Sequence, residues 1–209
     1  MNDLPRLYVI TDRESAARGC GDVFEALEGA LEAGARLIQF RDKGVDPLES
    51  WQLGRELTAL VAAFHASLLV NDRADLATGL AAAGVHRPTR GLPLHVLREI
   101  LLDTGLLAMS THTIEEAHAA EEGGADFITL SPIFPTPSKP GYGPALGLET
   151  LRLVSSEIDI PIFALGGVRP DNVRACLDAG AHGVAVMGGI MAAADPFEAT
   201  RDYLEALNV

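Results

Sequence analysis

IFALGGVRPDNVRACLDAGAHGVAVMGGI, residues 162–190, decides the fold. Two short aliphatic runs, IFALG (162–166) and GVAVM (183–187), flank a helical-period segment, 170–178, that opens on Pro170 and runs out into DAGA (178–181). Proline suits the first turn of a helix, where its missing N–H has no acceptor to lose. Glycine just past the end supplies the left-handed residue that turns the chain back into a strand. Neither strand alternates with polar residues, as expected of strands buried on both faces of a parallel sheet. Each strand then enters a glycine pair, Gly166-Gly167 and Gly188-Gly189.

The same unit recurs along the chain. Strand-like runs fall at RLYVIT (6–11), RLIQFR (36–41), SLLVN (67–71), GVH (84–86), LLAMS (106–110) and FITLS (127–131). Helical-period segments lie between them at 23–33, 47–65, 73–82, 94–102, 113–122 and 147–156, and 196–207 follows the last strand. EAGA (32–35) and EGGA (122–125) end two of these helices as DAGA ends the third. Thr113 followed three residues later by Glu116 predicts a capping box. Eight β/α repeats are the number that closes a parallel barrel. A doubly wound open sheet needs fewer strands, and no GxGxxG follows the first strand. The expectation is a (β/α)8 TIM barrel forming one domain over residues 1–209.

Composition narrows the function. The chain carries 16 Lys+Arg against 29 Asp+Glu, a net charge of −13. No basic stripe exists to release counterions from a polyanion, which argues against nucleic acid. No apolar run approaches the roughly 18 residues of a membrane span, and MNDLPRLYVITD has no basic n-region, so neither membrane nor signal peptide is expected. Cys20 and Cys176 form neither a disulfide framework nor a metal-ligand spacing, and a reducing cytoplasm is the expected compartment. Nothing decides between a monomer and a homo-oligomer. In so acidic a chain the few cations must be concentrated locally to hold an anion, so their positions are informative.

Barrel active sites sit at the C-terminal ends of the strands. Gln39, Arg41 and Lys43 alternate there at strand 2, sharing one face, and Arg and Lys both suit phosphate oxygens. Asn71 and Asp72 end strand 3. Asp72 is either a ligand for Mg²⁺, which favours one or two carboxylates plus phosphate oxygens, or a cap for the following helix. His86, Ser110 and His112 end strands 4 and 5, the histidines suited to acid–base work or to hydrogen bonding. After strand 6, SPIFPTPSKPGYGPALG (131–147) places Thr136, Ser138 and Lys139 in a loop with five prolines that keeps Ile133, Phe134, Tyr142 and Leu146. That apolar content suggests an ordered loop, and two hydroxyls beside an ammonium look like an anion cradle. The pairs Gly166-Gly167 and Gly188-Gly189 stand at the two turns where barrels commonly bind phosphate through backbone N–H groups.

Taken in order, YVITD (8–12), QFRDK (39–43), LLVNDRADLA (68–77), GVH (84–86), MSTHTIEEA (109–117), GADFITLSPIFPTPSK (124–139), IFALGGVRPDNV (162–173) and GAHGVAVMGGI (180–190) resemble the thiamine phosphate synthase and TenI family over nearly the whole chain. The resemblance implies a transferase in which aminopyrimidine methyl diphosphate loses pyrophosphate and the pyrimidine carbocation is captured by the nitrogen of thiazole phosphate. It implies that Gln39, Arg41, Lys43, Asn71, Thr136, Ser138 and Lys139 hold the pyrimidine diphosphate, with Ser110 nearby. Arg41, Ser110 and Lys139 are then the residues expected to carry catalysis. Asp72 would bind Mg²⁺, Gly167 the thiazole phosphate with Gly188 and Gly189 at the same turns, and the 131–147 loop would act as a lid over the leaving group.

Three departures stand beside that resemblance. The synthases carry a second Mg²⁺-binding Asp where this chain has Gly91, within GVHRPTRGLP (84–93), and Arg87 and Arg90 add positive charge there. A serine usual after the last strand is Gly188. A TenI-like thiazole phosphate tautomerase is therefore an alternative, although its catalytic histidine would fall at Pro132. A non-catalytic, phosphate-binding regulatory barrel is the other.

Overall fold

The computed structural model describes residues 4–42, 44–102, 105–136 and 144–208. Among them the strands are β1 (Leu7–Ile10), β2 (Leu37–Phe40), β3 (Ser67–Asn71), β4 (Gly84–Arg87), β5 (Leu106–Thr111), β6 (Phe127–Leu130), β7 (Ile162–Leu165) and β8 (Gly183–Val186). The helices are α1 (Arg13–Arg18), α2 (Val23–Ala33), α3 (Pro47–Ala63), α4 (Ala74–Gly79), α5 (Leu94–Ile100), α6 (Ile114–Glu122), α7 (Gly147–Glu157), α8 (Pro170–Asp178), α9 (Gly188–Met191) and α10 (Pro196–Leu207). Every strand pairs in parallel with its sequence neighbour, and β8 closes on β1, with Tyr8 opposite Ala185. The molecule is a closed (β/α)8 barrel.

Side-chain parity builds it. Leu7, Val9, Ile38, Val70, Leu107, Ile128 and Val184 point outward into one apolar cluster with the buried helix faces. Tyr8, Leu37, Leu69, Ala108, Phe127, Phe163 and Ala185 point into the barrel. There Tyr8, Phe127 and Phe163 pack with ring centroids 5.1–5.8 Å apart. Gly84 and Gly183 make room for this layer, because a Cβ at either would run into the backbone of Leu106 or Arg6. Two residues further along the same inward faces come Gln39, Asn71, His86 and Ser110. The barrel interior thus turns polar one layer below its C-terminal mouth, which is where a ligand can compensate buried polar groups.

The helix ends follow their caps. Asp22 accepts from the Phe24 N–H to start α2, and Gly34, at φ 119°, ends it. The capping box at α6 is half as expected. Thr113 accepts from the Glu116 N–H, but Glu116 reaches back to the N–H of His112, one residue before the cap. That bond ties the helix to the strand end that carries His112.

Candidate active site

The strand ends open into a cavity of about 1380 Å³ lined from all eight β-to-α junctions. Gln39, Arg41, Asn71, Asp72, Ser110, Thr136, Gly167, Gly188 and Gly189 all line it. Lys43, Ser138 and Lys139 lie outside the described residues.

Arg41 stands one residue past β2. Its N–H donates to Thr11 Oγ1 at 3.0 Å, and its Nη1 donates to Asp12 Oδ2 at 3.0 Å. Asp12 Oδ1 in turn accepts from the Ser15 N–H at 2.8 Å, capping α1. The carboxylate therefore holds the guanidinium with one oxygen and the helix with the other. Only 25% of the Arg41 side chain is exposed, so the charge is held at the rim and not spread into solvent.

Deeper in, four side chains form a hydrogen-bonded chain that runs from the buried interior to the half-buried Ser110. Gln39 Nε2 lies 3.0 Å from the Tyr8 hydroxyl, that hydroxyl 3.2 Å from His86 Nδ1, and His86 Nε2 2.8 Å from Ser110 Oγ. Burial raises the Tyr8 phenol well above its ordinary range, so it stays protonated. His112 belongs to a different contact: its Nδ1 donates to the Ser131 carbonyl at 2.6 Å, bracing the start of the 131–147 loop.

The helix-cap reading of Asp72 is overturned. The cap position of α4 is Arg73, with no side-chain cap bond, and Asp72 sits at φ 66° with an exposed carboxylate beside the cavity. Gly91 faces it: a Cβ built there lies 3.2 Å from Asp72 Oδ1. Arg87 braces this loop, with Nε donating to Leu92 O at 2.6 Å and Nη2 to Gly91 O at 3.2 Å. Arg90, not Arg87, lines the cavity. Among the described residues, no group of three or more His, Cys, Asp or Glu is placed to hold a metal.

The glycine turns differ from each other. Gly166 and Gly167 have φ of 93° and 64°, and a Cβ on Gly167 would lie 2.6 Å from the Pro135 carbonyl oxygen. Gly167 is thus required by backbone conformation and by the close approach of the β6 loop, not only by open space for an anion. Gly188 has nothing within 4 Å of a built Cβ. Gly167→Ala is expected to destabilise the fold by more than about 1–2 kcal/mol from the left-handed backbone alone. Gly188→Ser is expected to leave the melting temperature unchanged and to tighten an anion at that turn several-fold, since an added hydroxyl contributes about 0.5–1.5 kcal/mol when it bonds. Thermal melts and calorimetry with inorganic phosphate check the pair.

Residues in the cavity wall and just beneath it escape a reading of strand ends. Tyr8 lies below the mouth, and its inward parity with a hydroxyl to satisfy is the signal that marks it. Arg18 comes from α1, too short for a periodic signal. Tyr203 comes from α10; its hydroxyl, pushed up to about 12 by burial, donates to Val168 O at 3.0 Å and packs under Gly189, linking the two turns.

A family model described as thiamine monophosphate synthase, TMP-TENI, matches residues 7–190. The thiamine-phosphate synthase of Methanospirillum hungatei is 37% identical over 201 residues, covering 96% of this chain and 97% of its own. That of Roseiflexus sp. (strain RS-1) is 39% identical over 196 residues, covering 93% of this chain and 82% of its own. Among solved structures, a thiamine phosphate pyrophosphorylase from Pyrococcus furiosus matches with a TM-score of 0.86 and 33% identity, over 97% of this chain and 95% of that one.

Proposed function

The chain belongs to the thiamine monophosphate synthase (TMP-TENI) family, and from that premise we propose that it is a thiamine-phosphate synthase, joining aminopyrimidine methyl diphosphate to thiazole phosphate with release of pyrophosphate. The observation that carries the reading is a single cavity with a fixed cation, Arg41, and a polar inner layer on one side and two glycine turns on the other. Such a cavity suits two phosphorylated substrates held with their reacting carbons and nitrogen between them.

In this reading the methylene C–O bond breaks, its electron pair leaves with pyrophosphate, and the thiazole nitrogen forms the new C–N bond. Arg41, with Lys43, Thr136, Ser138 and Lys139, holds the diphosphate and stabilises the charge that develops on it, an electrostatic role that preorganised donors perform well. Gln39, Asn71 and Ser110 orient the pyrimidine. The backbone at Gly167, Gly188 and Gly189 receives the thiazole phosphate. Mg²⁺ fits the donor set in a restricted way: Asp72 is one carboxylate, so the diphosphate and water would supply the other ligands. When bound, the ion would help neutralise the leaving pyrophosphate.

No helix among the described residues is long and apolar enough to cross a membrane. Both cysteines are unpaired, and a reducing cytoplasm is the compartment we assign.

The test is conversion of the two substrates into thiamine phosphate, identified by mass. Gly91, which lacks the second carboxylate, favours the tautomerase alternative. Isomerisation of the thiazole carboxylate phosphate without any coupling would replace the synthase reading with that one.

A further inference from the structure

The chain Gln39–Tyr8–His86–Ser110 has a direction. Tyr8 is fully buried beneath the cavity, and its neighbours Gln39 and His86 are each 2% exposed, so the phenol proton needs an acceptor among the side chains around it. Gln39 Nε2 donates to the Tyr8 oxygen at 3.0 Å. If His86 Nδ1 also donated to that oxygen, the phenol proton would have no acceptor among the described residues. Leaving such a buried group unsatisfied incurs its full desolvation penalty with no bond to offset it. The consistent arrangement has Tyr8 O–H donating to His86 Nδ1 across 3.2 Å. His86 then carries its proton on Nε2 and donates it to Ser110 Oγ across 2.8 Å. Ser110 has no other hydroxyl partner among the described residues, and it lines the cavity.

We infer that Tyr8 and His86 are positioning residues that hold the Ser110 hydroxyl as a hydrogen-bond donor aimed into the cavity, at an acceptor atom of the pyrimidine diphosphate. In this arrangement His86 is not a base for Ser110, because its Nε2 lone pair is occupied by the proton it donates. The polarity originates at Gln39 and passes to the mouth through three hydrogen bonds, so a change at Tyr8 reaches the substrate without touching it. The identity of the acceptor rests on the synthase reading; the direction of the chain does not.

The test has two arms on the whole protein. Nitrogen-15 NMR of His86 in the ligand-free protein at neutral pH reads the tautomer, and protonated Nε2 with unprotonated Nδ1 is expected. Proton on Nδ1, or an imidazolium, overturns the direction; the former would mean that Gln39 presents its carbonyl to Tyr8. The second arm is a double-mutant cycle of Tyr8→Phe and Ser110→Ala, read by calorimetry with aminopyrimidine methyl diphosphate. Each single change is expected to weaken binding by about threefold to tenfold, the range of one hydrogen bond. The double change should cost no more than Ser110→Ala alone, because Tyr8 acts through Ser110. Additive losses, or a Tyr8→Phe variant that lowers only the melting temperature, overturn the positioning role. A wild-type protein that shows the Nε2 tautomer but no affinity for this ligand would remove the synthase reading and leave the direction standing.

Discussion

Arg41→Ala is expected to weaken aminopyrimidine methyl diphosphate by about 10- to 100-fold, the scale of 1.5–3 kcal/mol for hydrogen bonds to a charged group. Thiazole phosphate should bind unchanged. The guanidinium offers five N–H donors, of which one is engaged by Asp12 Oδ2 at 3.0 Å, so the remaining donors can turn to a diphosphate without breaking that contact. Arg41→Lys should recover only part of the loss, since an ammonium keeps the charge but not the planar fork. Asp12→Asn separates two roles. An amide oxygen can still cap α1, while the guanidinium loses its ionic tether, so a smaller loss of diphosphate affinity is expected with little change in melting temperature. Calorimetry on the three variants decides. Equal weakening of both substrates by Arg41→Ala would place the arginine at the wrong end of the cavity.

Gly91→Asp should produce the second large effect. A Cβ at Gly91 stands 3.2 Å from Asp72 Oδ1, so the new carboxylate shares a site with the existing one. Without metal the two charges repel, and one carboxyl pKa must rise or the loop must give way. The same Cβ lies 2.9 Å from Arg87 Cγ, and Arg87 is anchored through Leu92 O, so some strain adds to the repulsion. With Mg²⁺ the repulsion becomes a pair of ligands. The variant is expected to melt below wild type in chelator, to bind Mg²⁺ at least about tenfold more tightly as free protein, and to gain melting temperature with added Mg²⁺ by mass action. Gly91→Asn, similar in size and uncharged, should show the strain without the metal dependence. Equal Mg²⁺ titrations of wild type and Gly91→Asp would show that residue 91 does not face a metal position.

Most of the barrel is legible in the sequence because its signals are local. α2, α8 and α10 begin at Asp22, Arg169-Pro170 and Asp195-Pro196, where a side-chain cap or a proline fixes the first turn, and their observed bounds match the predicted ones. Strands read as unbroken apolar runs because helices cover one face and the barrel interior the other. α1 and α9, at six and four residues, are too short to show a period. The polar residues at strand ends are legible as a set, since nothing else explains Gln39, Asn71, His86 and Ser110 beside aliphatic runs. Their partners are not. That Asp12 divides its carboxylate between Arg41 and α1, that Arg87 braces its own loop, and that Gly167 meets Pro135 are long-range or backbone facts with no periodicity to betray them. Tyr8 is the clearest case: its ring belongs to the apolar core and its hydroxyl to the site.

The most direct measurement is pyrophosphate release from wild-type protein given aminopyrimidine methyl diphosphate, thiazole phosphate and saturating Mg²⁺. A thiamine-phosphate synthase releases one pyrophosphate for each thiamine phosphate formed, and does so only when both substrates are present. The account predicts that stoichiometric, two-substrate dependence, with a sharp loss in Arg41→Ala. No release at saturating metal and substrates, from wild type and Gly91→Asp alike, would contradict it.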